Sequence, residues 1–467
     1  MRMKTALVMT TSLMAIAMAG AASAAPRDLG REVLGANDGW AASGAGTSGG
    51  SLATSDQVYV VSNRRDLIAA LNNGVPSSTS PSTPSNTPKI IYVSGTIDAN
   101  VDDENNPLTC EDYFAADPGV PTAVPPIPPS GEVFSYEAFE AAFDPEVWGR
   151  VNPSGPQERA RLASQAVQQA RVRIRPGSNT TIVGLGKGAK FRGIWLDIRG
   201  SAAVPRENII VRNITFEDTY DCFPQWAPTD GADGSWNALY DSISLRDSRN
   251  VWIDHNTFRD RRTRDATLPI VFGVLFQAHD GLVDITNASD LVTVSWNKFL
   301  EHDKVMLIGS SNNAPLDVNK LRVTLHHNLF DTLGQRGPRV RFGQVHVYNN
   351  YYKVPNADTY QYSWGVGIQS RIYAESNFFC TETTHDEAVT PDRFIERLDG
   401  TAIHAADTLV WSTAAGYQLV DVLAEYNAVN DPDLASDVGW VPTLFDAIDP
   451  VESVEARVEK RSGPMAW

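Results

Sequence analysis

The sequence predicts an all-β solenoid, a coil of short strands stacked turn upon turn, and three observations predict it. Between residues 171 and 380, short β-branched and aromatic runs recur, closing on asparagine, one residue, then an aromatic. The copies are "IDHNTF", "VSWNKF", "LHHNLF", "VYNNYY" and "AESNFF", with "VRNITF" looser. Their asparagines, Asn213, Asn256, Asn297, Asn328, Asn350 and Asn377, stand 43, 41, 31, 22 and 27 residues apart. The shortest interval suits one solenoid turn, and the longer ones suit turns that carry loops. The composition, 42% hydrophobic and 20% charged, supplies a substantial core. Asparagine suits such a corner because it tolerates the left-handed backbone of a sharp bend. Stacked asparagine side chains can also hydrogen-bond in a ladder. A β-sandwich with recurrent turns is the rival architecture, and the repeated ending argues against it.

The elements follow in chain order. Residues 1–25 combine a basic start, an apolar run and small residues at "ASAAP", which is the pattern of a secretory signal peptide. Residues 26–57 are rich in Gly, Ala and Ser and read as extended. "VYVVSNRRDLIAALNN" reads as a strand and a short helix starting near Asn63. Residues 75–88 are low-complexity and read as an exposed loop, and "KIIYVSGTID" (89–98) reads as one strand. A proline-rich loop at 118–130 precedes a helical segment ending at 157–170. Beyond residue 380 a capping segment is expected, because an open solenoid end exposes unpaired strand edges.

The formal net charge is -17, from 56 acidic against 39 basic residues, which argues against nucleic acid as a partner. No run after the leader is long and apolar enough for a membrane span. Three cysteines, Cys110, Cys222 and Cys380, allow at most one bridge, and buried free thiols are the default expectation.

Against this acidity, "QRGPRVRFGQ" concentrates Arg336, Arg339 and Arg341. "GLGKGAK" (184–190) lacks the Ser/Thr ending and following helix of a phosphate loop, so its glycines read as turns. Asp254 and His255 are neighbours on a strand and would face opposite sides unless the strand bends, so buried structural partners are expected. Asp280 and Asp284 are four apart and would share a face about 13 Å apart, with Gly281 permitting a bend. Asp241 sits at the end of a strand expected to stack beside theirs. Converging carboxylates need a cation, and an oxygen-only set suits Ca²⁺. Three unrelated surface aspartates fit the residues equally well.

"WIDHNTF", "HDGLVDI", "SWNKFLEHDKVMLIG" and "LRVTLHHNLFDTLGQRGPRVRFGQVHVYNNYY" resemble the secreted pectate lyases of polysaccharide lyase family 1, from about residue 89 to 380. The resemblance implies a right-handed parallel β-helix whose long loops form a cleft. It implies one domain over 26–467, with a core at about 89–380 and a C-terminal cap at 381–467. It places calcium ligands at Asp241, Asp280 and Asp284, substrate-binding residues at Lys304 and Arg341, and the catalytic arginine at Arg336. Gly337 departs from the family pattern, which usually has a larger apolar residue there. The implied protein is secreted, calcium-dependent and monomeric, and acts on polygalacturonate by β-elimination. Whether Arg336 or an activated water takes the proton is open at this level. A pectin lyase acting on the methyl-esterified polymer, which needs no calcium, and a non-catalytic β-helical binding protein are the alternatives.

Overall fold

The computed structural model describes residues 28–81, 83–355, 357–381 and 389–467, so the leader expected at 1–25 lies outside the described residues. Its core is a right-handed parallel β-helix built from three long sheets. The rung around the first full repeat shows the plan. Ser248–Asp254 lies in the first sheet, Thr257–Arg259 in the second, and Val283–Thr286 in the third, before Asp290–Ser295 begins the next rung beside Ser248–Asp254. The first sheet has ten strands, from Val58–Val61 to Ile403–Ala406; the third has eight. Parallel rungs run on past Cys380 to Thr408–Ser412, where Gly416–Val420 turns back antiparallel.

The core follows from residue type. Inward positions of the first sheet stack Ile91, Ile182, Val211, Ile253, Val294, Leu325 and Val347, all fully buried. Parallel strands buried on their inner face select such β-branched and aliphatic residues. In the second sheet the aromatic of each repeat enters the core, so that Phe216, Phe258, Phe299, Phe330, Tyr352 and Phe379 form one stack. Neighbouring rings in it are 4.4–5.1 Å apart. Each such pair adds about 1 kcal/mol beyond area burial.

The asparagine ladder exists, with two differences from expectation. Asn256, Asn297, Asn328 and Asn350 each donate from the backbone N to the side-chain oxygen of the next, ending at Asn377, at 2.9–3.0 Å. The left-handed bend falls on the residue before each asparagine: His255, Trp296, His327, Asn349 and Ser376 have φ of 50–54°. The asparagine itself is spent on hydrogen bonds. Asn213 is one position early, with φ 61°, so it occupies the bend and Ile214 takes the ladder position. "KIIYVSGTID" is two strands, Lys89–Val93 and Thr96–Asp98, because Gly95 turns the corner with φ 71°.

Short helices close both ends of the stack. Arg64–Leu71, capped by Asn63, packs on the first rung, and Val422–Val429 packs on the last. The C-terminal Val451, Val454 and Val458 cover Leu329, Tyr351 and Phe378 on the outer face of the second sheet. Long connections between the second and third sheets gather into a separate aromatic cluster that includes Phe134, Phe139, Trp226 and Trp236. Cys110 and Cys222 are joined there by a disulfide, which corrects the expectation of free thiols. They are 112 residues apart in sequence, and only the packing of two loops brings them together.

Candidate active site

Every expected site residue lies where the second sheet hands the chain to the third, or on the third sheet itself. Asp241 lies two residues before Ile243–Arg246; it stands ahead of the start of a strand rather than at its end. Asp284 lies within Val283–Thr286, opposite Ser244, whereas Asp280 lies in the turn before that strand. The two are therefore not spaced as residues of one extended strand. Lys304 ends Lys298–Lys304, Arg336 sits in the turn between Leu329–Gln335 and Arg339–Val340, and Arg341 follows the latter. Four successive rungs thus supply the six residues.

Asp241 and Asp284 are buried and converge on Gly281. A β-carbon on Gly281 would lie 2.4 Å from Asp284 Oδ1 and 3.0 Å from Asp241 Oδ1, so only glycine leaves this space open. Asp241 Oδ1 accepts from the Gly281 N–H at 3.0 Å, and its Oδ2 accepts from the Ser244 hydroxyl. Asp284 Oδ1 accepts from the Leu307 N–H at 3.0 Å. Burial, then the charges of Asp284 and Asp280, pushes Asp241 well above the usual carboxylate range. Burial and the Asp280 charge push Asp284 up to about 7, against the pull of Arg336. Both shifts mark like charges short of a counter-ion. Among the described residues no three His, Cys, Asp or Glu side chains close into a ready-made metal cage. The oxygen-only donors and the gap over Gly281 nevertheless suit a hard cation that takes further oxygen ligands from elsewhere.

Beside this pit stand the cations. Arg336 has φ 66°, which turns its side chain out of the strand direction. Lys304 Nζ donates to Gln277 Oε1 at 3.0 Å. Arg341 donates to Asn312 Oδ1 and to the Gly309 carbonyl, at 2.8 and 2.9 Å. Burial, then the charges of Arg339 and Arg336, lowers Arg341 to about 10. Arg339 shares the outward column of Asp284 through Leu307, and the buried Nε atoms of Arg336 and Arg339 have no hydrogen-bond partner. Gly337 is held firmly: its N–H donates to the Ser363 carbonyl at 2.7 Å, and its carbonyl accepts from Tyr352 at 2.9 Å.

Sequence reasoning missed a supporting layer. His302 hydrogen-bonds the Asp280 carbonyl through Nε2 at 2.7 Å and pairs with Asp260 through Nδ1 at 2.5 Å. Burial opposes its charge, but Asp260 raises it to about 9, and His279 joins Asp260 from the other side at 3.4 Å. The "EHDK" context of His302 gave no hint of this, because its partners lie one rung and one loop away. Asp254 and His255 do meet, since the bend at His255 brings its Nδ1 to 2.8 Å from Asp254 Oδ2. Asp254 also pairs with Arg212 at 2.7 Å and accepts from Ser295 at 2.8 Å.

A family model described as pectate lyase matches residues 148–414. The chain is 41% identical over 464 residues to the pectate lyase of Bacillus subtilis (strain 168), covering 99% of each. The chain belongs to the pectate lyase family. It is also 34% identical over 378 residues to pectate lyase E of Dickeya dadantii (strain 3937), covering 80% of this chain and 74% of that one. Among solved structures, a thermostable pectate lyase superposes with a TM-score of 0.85 at 43% identity, over 94% of this chain and 100% of its own. A pectate lyase bound to a hexasaccharide superposes with a TM-score of 0.81 at 40% identity, over 94% and 99%. Membership agrees with the β-helix described above. Among the described residues of this family member, no helix is long and apolar enough to cross a membrane.

Proposed function

We propose that this protein is a secreted, calcium-dependent pectate lyase that cleaves α-1,4-linked polygalacturonate by β-elimination. The observation that carries the site assignment is a charge contrast. On one face of an acidic protein, Asp241, Asp280 and Asp284 crowd together while Arg336, Arg339 and Arg341 make no salt bridge among the described residues. Uncompensated charge of both signs, side by side, suits a polyanion that brings its own carboxylates and shares a cation. The relative solved with a hexasaccharide supports a site long enough for an oligosaccharide.

Asp241, Asp280 and Asp284 would hold Ca²⁺, which supplies charge neutralisation of a substrate carboxylate. Lys304 and Arg341 grip uronate carboxylates, and the neutralised carboxylate acidifies the C5–H beside it. Arg336 receives the C5 proton on a guanidine nitrogen that has first given its own proton to solvent, the C–H electron pair forms the C4–C5 double bond, and the C4–O bond breaks with its electron pair leaving on oxygen. The leaving oxygen, carrying the C4–O pair, takes a proton from solvent, and a 4,5-unsaturated sugar remains. Stabilising charge where it develops is the main source of rate in such sites. The leader at residues 1–25 supports export, and residues 26–467 fit one catalytic domain with a C-terminal cap at 381–467.

The test is the rise in ultraviolet absorbance of the unsaturated product. Polygalacturonate should be cleaved with calcium, chelator should stop the reaction, and highly methyl-esterified pectin should be poorer. Full activity in excess chelator overturns the calcium assignment. A preference for the esterified polymer makes the protein a pectin lyase.

A further inference from the structure

The third sheet carries one more arginine that the catalytic assignment does not use. Arg246 ends Ile243–Arg246 and is half-buried. Its buried Nε has no hydrogen-bond partner, and among the described residues it forms no salt bridge. The position directly below it shows that this is a choice. Arg199, in register with Arg246, pairs with Asp197 at 3.2 Å, and Arg175 takes the other oxygen of Asp197 at 3.2 Å. Where Arg199 has Asp197 two residues before it, Arg246 has Ser244. A half-buried guanidinium with no salt-bridge partner is open to a carboxylate brought by a ligand.

Its place in the stack says which ligand. Leu245, Ile285, Ile308 and Val340 form one core column, and Arg246 and Arg341 follow its first and last members. Three rungs separate them, roughly 14 Å at the usual strand spacing. Thr286 and Gly309 lie directly between them, Asp284 and Leu307 stand on the same two rungs in the neighbouring outward column, and Arg336 and Lys304 are at the adjoining corner. The charge of Arg246 reaches both Asp241 and Asp284, lowering each against the effect of burial and mutual repulsion. Asp284 is therefore bracketed by cations along the helix axis, with Arg341 two rungs to one side and Arg246 one rung to the other, on the rung that also carries Asp241.

We infer that Arg246 forms an additional carboxylate subsite, which binds a uronate residue of the same chain on the far side of the pit from Arg336 and Arg341. This rests on the polygalacturonate reading. An arginine suits the task because its planar fork can bind a carboxylate in two-point fashion. The subsite is a length sensor: it contributes only when the oligosaccharide is long enough to reach it from Arg341.

The test compares Arg246→Ala and Arg246→Lys with wild type on polygalacturonate and on a graded series of oligogalacturonates. For Arg246→Ala the KM on polygalacturonate should rise about tenfold, the loss of one charge-assisted contact, with kcat within about twofold. Wild type and variant should become indistinguishable on the shortest cleavable oligomers, and Arg246→Lys should recover most of the loss. An equal loss on every chain length, or a fall in kcat with an altered calcium requirement, overturns the subsite and leaves Arg246 acting through Asp241 and Asp284. Calorimetric binding of hexagalacturonate in chelator separates the two proposals. If wild type turns over no substrate even with calcium supplied, but in chelator binds the hexamer more tightly than Arg246→Ala, the lyase reading fails and the subsite stands. If the two bind alike, the subsite falls whatever the activity.

Discussion

Asp254 and Asp284 are both buried aspartates on strands of the same β-helix, and their protonation behaviour moves in opposite directions. Burial would raise Asp254, but His255 and Arg212 overcome it, and with Ser295 they hold it down at about 2. Burial raises Asp284 to about 7, helped by Asp280 and resisted by Arg336. Asp254 sits at the corner of the first and second sheets, where both oxygens of its carboxylate have partners inside the protein. Asp284 sits on the third sheet, where it accepts from the Leu307 N–H but forms no salt bridge among the described residues. The lesson is that burial sets the cost of a charge, and neighbours decide whether the protein itself meets that cost or leaves it for a ligand.

Four measurements would break or sharpen this contrast, taken from the largest expected effect to the smallest. Arg336→Lys should reduce turnover on polygalacturonate by about 10³-fold, the scale of a misplaced proton acceptor, while the thermal transition stays put. Near-normal turnover with an unchanged pH profile would make Arg336 an electrostatic contact only. Asp254→Asn should lower stability by about 3 kcal/mol, because it leaves Arg212 buried without its counter-charge. In chelator, Asp284→Asn should do the reverse and raise stability by about 1 kcal/mol, since it relieves repulsion. Denaturant titration of both variants reads the difference, and the same sign for both would refute the contrast.

Asn297→Ala should cost about 2 kcal/mol, as it leaves the Asn256 N–H without the acceptor it has at 2.9 Å. The last effect appears only in acid. Asp254 has its folded value depressed, so its contribution is complete above about pH 4 and is lost as pH falls towards 2, up to about 2 kcal/mol. Stability curves of wild type and Asp254→Asn should therefore converge on acidification; curves that stay parallel would show that the ion pair does not govern this limb.

Much of the fold was legible because a solenoid repeats its physics. The ending of "IDHNTF" announces a bend, a ladder asparagine and a core aromatic, and five copies carry the same three roles. The sixth, "VRNITF", misled because one residue of shift turns a ladder asparagine into a bend residue. Side-chain type alone does not distinguish the two. The six site residues were named through resemblance to a family; the residues alone left three aspartates and a basic cluster with no required relation.

By itself the sequence determined the strand pattern, the stacked aromatics and the family, because each of these is local or repeats along the chain. Tertiary structure decided the rest. It chose Cys110 and Cys222 as the bridge, put Asp280 off the strand that holds Asp284, bent Asp254 and His255 together, and left Arg246 without a carboxylate. The reason is geometric. Loop length varies freely between the second and third sheets, so separation in sequence says little about separation in space. Register across rungs, set by columns such as Leu245, Ile285, Ile308 and Val340, brings residues tens of positions apart to within one strand spacing of each other.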